Sequence, residues 1–178
     1  MDEYAVITAV GPDRPGLVDL ISRYLLDAGC NLEDSRMAML GGEFAMVILV
    51  KGSAAAIDAV LAGAEGAGAE SGLAVLAKRT HAPGSRSQSE AIPYQVNAYS
   101  MDHPGIVQQV AHFLGAHKIN VRALDTRVTQ APITGQPLFT LRATIDLPAG
   151  VSVREIRRGL EDIGAAENID IELKPADR

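Results

Sequence analysis

Asp13-Arg14-Pro15-Gly16-Leu17-Val18 and Asp102-His103-Pro104-Gly105-Ile106-Val107 are one stretch written twice, 89 positions apart. The same offset carries Leu25 onto Leu114 and Asn31-Leu32 onto Asn120-Val121. Apolar positions stay in register as well as the D-x-P-G letters. A repeat of this length predicts two copies of one small domain, each with its own strand-turn-helix corner. The 178 residues suit two small domains. We place them at 1–80 and 92–178, with a linker at 81–91.

Each copy reads as β-α-β-β-α-β. In the first, the apolar run 4–10 is strand-like, and the Gly and Pro of 11–15 break it. Leu17, Leu20, Ile21, Tyr24 and Ala28 then recur at helical steps until Gly29. Residues 32–39 and 44–51 are strands flanking Leu40-Gly41-Gly42, a hairpin signal. Ser53 heads a second helix with Ile57, Val60, Leu61 and Ala64 inward, and 73–77 is the last strand. The Gly/Ala-rich stretch 63–72 leaves that helix's end open. Residues 81–90 carry Pro, Gly, three Ser and a Gln, a linker composition.

The pattern then restarts: strand 94–99, helix 105–117, strands 120–129 and 138–147, helix from Ser152, strand 169–173. Glu155 lies three residues after Ser152, a capping box, and Ile156, Leu160 and Ile163 form that helix's inner face. Phe44 aligns with Phe139 at an offset of 95, so the second hairpin loop is six residues longer. The fold class is α+β: two ferredoxin-like units, each an antiparallel sheet with both helices on one face. Such a sheet has a bare face and free edges, which predicts a homo-oligomer.

Composition narrows the function. Lys and Arg number 16 against 22 Asp and Glu, a net charge of -6, which argues against direct nucleic-acid binding. No apolar run approaches the length of a membrane span, and the acidic Met1-Asp2-Glu3 start lacks a signal-peptide pattern. We expect a cytoplasmic protein without a membrane partner. With one cysteine, Cys30, no disulfide closes within the chain, and a buried inert thiol is expected. His112 and His117 are five apart on one helix with no accompanying ligand, so no metal site and no cofactor are expected. No G-x-S-x-G, P-loop or G-x-G-x-x-G motif occurs. The expectation is a non-enzyme.

The repeated corner is the candidate site. A helix N-terminus offers free N–H groups and the positive end of the dipole to an anion such as a carboxylate. Gly16 and Gly105 let a ligand approach the backbone, and Pro15 and Pro104 fix φ in the first turn. Asp13 and Asp102 suit a ligand ammonium, so the pair of features fits a zwitterionic amino acid. The competing reading is structural: Asp before a helix is also an N-cap, and Pro-Gly is turn chemistry. Asn31 and Asn120 either form turns or face the ligand from the next strand.

The corners, the two Asn positions and the element order resemble ACT domains, small ligand-sensing modules. Two in tandem resemble the glycine cleavage system transcriptional repressor group. The stretch from Ala131 to Phe139, A-P-I-T-G-Q-P-L-F, is similar to A-P-x-T-G-x-P-L-F in that group's second domain. The resemblance implies amino-acid sensing where the corner meets a neighbouring domain's edge. Carried over, it names Gly11, Asp13, Arg14, Pro15, Gly16, Leu17 and Asn31 in the first copy. In the second it names Met101, Asp102, His103, Pro104, Gly105, Ile106 and Asn120. It further implies glycine or a similar small amino acid as effector, with a transcriptional activator protein as partner. ACT-like modules also precede formyltetrahydrofolate deformylase domains, but with no room left after the second copy we expect no such catalytic domain here. Arg14 against His103, Gly11 against Ser100 and Pro12 against Met101 make the two corners unequal. One site is then degenerate, or the two prefer different ligands. A ligand-free interaction module, with the corners as plain structure, is the alternative.

Overall fold

The computed structural model describes residues 2–84, 91–132 and 134–176. The chain divides into two compact units, residues 1–87 and 88–178. Positions 85–90 of the expected linker, and Ile133 of the long loop, lie outside the described residues.

The first unit runs β1 (Glu3–Pro12), α1 (Leu17–Asp27), β2 (Asn31–Leu40), β3 (Glu43–Gly52), α2 (Ala54–Ser71) and β4 (Ala74–Thr80). The second repeats it as β5 (Ile92–Met101), α3 (Ile106–Ala116), β6 (Asn120–Gln130), β7 (Pro137–Leu147), α4 (Val153–Glu167) and β8 (Asp170–Pro175). Strand order is β2-β3-β1-β4 in one sheet and β6-β7-β5-β8 in the other, every pair antiparallel. Strands begin or end up to three residues beyond the expected bounds, because backbone pairing continues past the last apolar residue.

Period-two burial makes each sheet one-sided. Ala5, Ile7 and Ala9 of β1 and Phe44, Met46, Ile48 and Val50 of β3 are buried. Leu17, Ile21 and Leu25, four apart on α1, pack onto them with Ile57 and Val60 of α2. In the second unit Val96, Ala98, Leu141, Ala143 and Ile145 meet Ile106, Val110, Leu114, Ile156 and Leu160. Leu61 and Ile163, expected on inner faces, are only half-buried; Gly68 and Gly164 take the next inward turn of their helices. A Cβ on Gly68 would lie 2.8 Å from the Leu73 carbonyl oxygen, so glycine permits this close return of the strand.

The Gly41-Gly42 turn has φ of 62° and 86°. Two positive φ angles define the hairpin turn that matches strand twist. α2 ends at Gly72 in the left-handed conformation, which settles the open end of that helix. Cys30 is buried among apolar side chains, and that burial pushes its thiol pKa up.

The edge strands β2 and β6 stand outside both cores. Every residue of β6, and all of β2 except half-buried Ser35, is exposed. Met37, Met39 and Leu40 on β2, and Leu124 and Val128 on β6, are apolar side chains left in water. A long, apolar, unpaired edge is a surface for strand addition.

Candidate functional site

Each corner leaves its central strand and turns into the first helix through a glycine. Gly16 has φ 95° and ψ -4°, and Gly105 has φ 104° and ψ -16°. These values, after Pro15 and Pro104, are those of the third residue in a type II turn, where only glycine is unstrained. Both glycines are the N-cap residues, and neither helix receives a side-chain cap. The reading of Asp13 and Asp102 as N-caps is therefore corrected. The turn places each Asp three residues ahead of the cap position. The proline likewise precedes the helix instead of opening its first turn.

The other two helices behave differently. Ser53 Oγ accepts from the Ala56 N–H at 3.2 Å, and Ser152 Oγ accepts from the Glu155 N–H at 3.4 Å. Among the described residues, α1 and α3, the helices of the repeated corner, begin with no side-chain cap, whereas α2 and α4 each have one first-turn N–H bonded to a serine. That concentrates hydrogen-bond donors and dipole at two defined places.

The corners are braced from below. The Asp13 N–H donates to the Gly42 carbonyl at 3.0 Å, and the Asp102 N–H donates to the Pro137 carbonyl at 3.0 Å. The hairpin turn thus supports the corner in both units. In the second, that support is the long loop, closed by Ala131 N–H to the Gln136 carbonyl at 2.8 Å. The carboxylates of Asp13 and Asp102 are on exposed residues, as are Pro15, Pro104 and Met101. Leu17 and Ile106 are each 2% exposed, so their side chains belong to the cores and only their backbone faces the corner. Gly11 is confined: a Cβ there would lie 2.9 Å from Leu73 Cδ2. An open cavity of about 310 Å³ adjoins the first corner, between Arg14, Leu17, Met37, Met39 and Phe44.

The basic residues differ in their use. Arg14 Nη2 donates to the Ser71 carbonyl at 2.9 Å, joining the corner to the end of α2. His103 Nδ1 lies 3.2 Å from the carbonyl of Pro104. His103 Nε2 and, three residues earlier, Ser100 Oγ are atoms shut from solvent without a hydrogen-bond partner, on residues that are themselves half-buried. Sequence reasoning missed Ser100 as a group of interest; its only signal was standing where the first copy has Gly11.

The two asparagines are not with the corners of their own units. Asn31 pairs with Lys51 at one end of β3, while the corner adjoins Phe44 and Glu43 at the other. Eight residue steps separate those rows, about 27 Å at the rise of an antiparallel strand. Asn120 likewise pairs with Asp146, at the opposite end of β7 from Leu138 and Met101. Asn31 Nδ2 donates to Glu33 Oε1 at 3.1 Å, and Asn120 Nδ2 to Asp146 Oδ2 at 3.4 Å. Within one unit, no small molecule touches both the corner and the amide.

Among the described residues, no group of three His, Cys, Asp or Glu side chains is arranged to hold a metal ion. No helix among them is long and apolar enough to cross a membrane.

The fold and its two uncapped corners define a tandem ACT-domain protein, and a family model described as the ACT domain matches residues 3–78. The chain is 34% identical over 158 residues to the glycine cleavage system transcriptional repressor of Escherichia coli K12, covering 89% of this chain and 82% of that protein. The chain belongs to the glycine cleavage system transcriptional repressor family. A crystal structure provisionally assigned to the same repressors superposes over 100% of this chain and 99% of its own, with a TM-score of 0.72 and 26% identity. An unknown protein from Galdieria sulphuraria covers 99% of this chain and 100% of its own, with a TM-score of 0.81 and 28% identity.

Proposed function

We propose that this chain is a cytoplasmic, non-enzymatic regulator that senses a small free amino acid, glycine or one close to it. It represses glycine cleavage genes through a protein partner, a transcriptional activator, and amino-acid binding relieves that repression. The observation carrying the reading is the contrast among the helices: α2 and α4 begin on serine caps, whereas α1 and α3 begin on left-handed glycines with free N–H groups. A carboxylate completes such a helix start, and the neighbouring aspartate suits an ammonium. The net charge of -6 supports action through a protein instead of on nucleic acid directly.

The asparagine amides join a corner only across copies. If β2 pairs antiparallel with β2 of a second chain, the Asn31 end of one strand meets the Leu40 end, and hence the corner, of the other. The exposed apolar edge supports such a homo-oligomer. A ligand seated there favours one arrangement of the sheets and changes the surface offered to the partner.

Thermal unfolding of the full chain against the twenty free amino acids tests the reading. A ligand at a hundred times its Kd adds about 2.7 kcal/mol of stability. A raised midpoint confined to one or two amino acids is expected. A flat panel at millimolar concentration overturns sensing and leaves a ligand-free interaction module built on the exposed edges.

A further inference from the structure

Independently of the sensing function proposed above, we infer that the open face of the first sheet, the side turned away from its helices, is an interface with a second copy of this chain. The two copies stack face to face about a two-fold axis that runs along the strands.

Register defines this face. Residues directly opposite in an antiparallel pair point to one side of the sheet. Ala5, Ile7 and Ala9 face the helices, so Val6, Thr8 and Val10 face away. Through Thr8 runs the row Arg36, Val47, Thr8 and Leu76, one residue each from β2, β3, β1 and β4. Val47 is 47% exposed and Leu76 68%, and Val10 and Leu40 extend the apolar patch toward the corner. The Thr8 hydroxyl donates to the Leu76 carbonyl at 3.5 Å, so it brings no unmet polar group to the face.

The second unit has the same topology and a different face. Its matching row is Asp125, Arg142, Asn97 and Glu172, polar throughout, with the Asn97 amide donating to Glu172 Oε2 at 3.2 Å. One fold therefore carries a face suited to water and a face that gains by leaving it.

A second copy fits by size and by charge. From Glu43 to Lys51, β3 spans eight residue steps in register with its neighbours, about 27 Å, and four strands are about 19 Å wide. That is roughly 500 Å² of flat face, so two copies cover about 1,000 Å², the lower end for a specific interface. Asp34 and Lys78 share the next row on the outer strands β2 and β4, about 14 Å apart, too far to pair within one copy. A two-fold axis along the strands sets β2 over β4 and brings each Asp34 over Lys78 of the second copy. The same operation sets Leu76 over the aliphatic stem of Arg36, whose guanidinium is held by Asp34 at 2.6 Å. Stacked sheets stand about 10 Å apart, a gap that lysine and aspartate side chains bridge.

Sedimentation equilibrium of the full chain tests this over roughly 1–500 μM, because an interface of this size holds weakly. The average mass should rise with concentration. Val47→Arg with Leu76→Glu, which gives the first face the second unit's residues, should halve the mass reached at the top of the range and leave the circular dichroism spectrum unchanged. On the parent chain, a carbodiimide, which joins an amine directly to a carboxylate, should link Lys78 to Asp34 in the dimer band. The mass of one chain at every concentration overturns the inference. An unchanged mass in the double variant also overturns it and assigns association to the β2 edge. A dimer band whose links exclude Asp34 and Lys78 overturns the two-fold stacking. None of these results bears on the amino-acid panel, so this inference and the sensing function fail separately.

Discussion

Arg14 reaches 57 residues along the chain to donate to the Ser71 carbonyl at 2.9 Å, and His103 in the matching corner makes no such reach. Ser71 is the last residue of α2, where the helix dipole is negative and carbonyls lack internal partners. The guanidinium therefore closes a helix end and pins the corner together. The bond is only partly buried, so its worth is modest. Arg14→Ala should lower the stability of the first unit by about 1 kcal/mol and leave the second unit's unfolding unchanged, read by urea denaturation.

Asp13 and Ser53 make opposite predictions for the same assay. Ser53 accepts from a first-turn N–H of α2, so Ser53→Ala should cost about 1 kcal/mol. Asp13 is not a cap, so Asp13→Ala should change stability by less than about 0.5 kcal/mol. Equal costs would return the aspartate to a structural role and remove the case for a corner kept free for a ligand.

Where the two helices of a unit cross, an aromatic side chain of the first fills the notch over a glycine of the second. Tyr24 lies over Gly63, and Phe113 over Gly159. A Cβ on Gly159 would overlap the Phe113 ring, whereas one on Gly63 would sit 3.1 Å from the Tyr24 hydroxyl. Gly159→Ala should destabilise by about 1–3 kcal/mol through overpacking, and Gly63→Ala by less. Adding Phe113→Leu to Gly159→Ala should recover part of the loss in thermal melts, since the two sites share one contact.

The first unit should be the more sensitive to alkali. Burial raises the pKa of the Cys30 thiol above its usual 9.0, and burial likewise raises that of the Tyr24 phenol, whose hydroxyl donates to the Val60 carbonyl. Both groups hold their protons more tightly folded than unfolded. Their contribution is complete below the unfolded values and is lost as pH rises through the folded ones. The second unit has Ile119 and Phe113 at these positions. Melts between pH 8 and about 11 should therefore show the first unit losing stability ahead of the second. Cys30→Val with Tyr24→Phe should flatten that difference.

Much of the fold was legible because its determinants are local. The repeat, the period-two runs 4–10 and 44–51, the four-residue spacing of Leu17, Ile21 and Leu25, and the Gly-Gly turn each act within a few residues. The ends of elements were less legible. Strand pairing at Ile92 and Met101 depends on what lies across the sheet, and the inward place of Gly68 depends on the returning strand. The candidate site divides in the same way. The D-x-P-G corners announced themselves, but the role of Asp13 did not, because a cap and an uncapped turn use the same letters and differ only in φ at Gly16.

The sequence by itself determined two ferredoxin-like units, their corners and the inward faces of most of their strands and helices, since hydrophobic period and turn chemistry are properties of neighbouring residues. Tertiary structure alone decided which polar groups meet. Strand register sends Asn31 about 27 Å from Asp13 although both flank one helix. The return of α2 brings Ser71 to Arg14, and the second corner leaves Ser100 Oγ and His103 Nε2 without hydrogen-bond partners. Such contacts join residues far apart in the chain, and no local pattern encodes them.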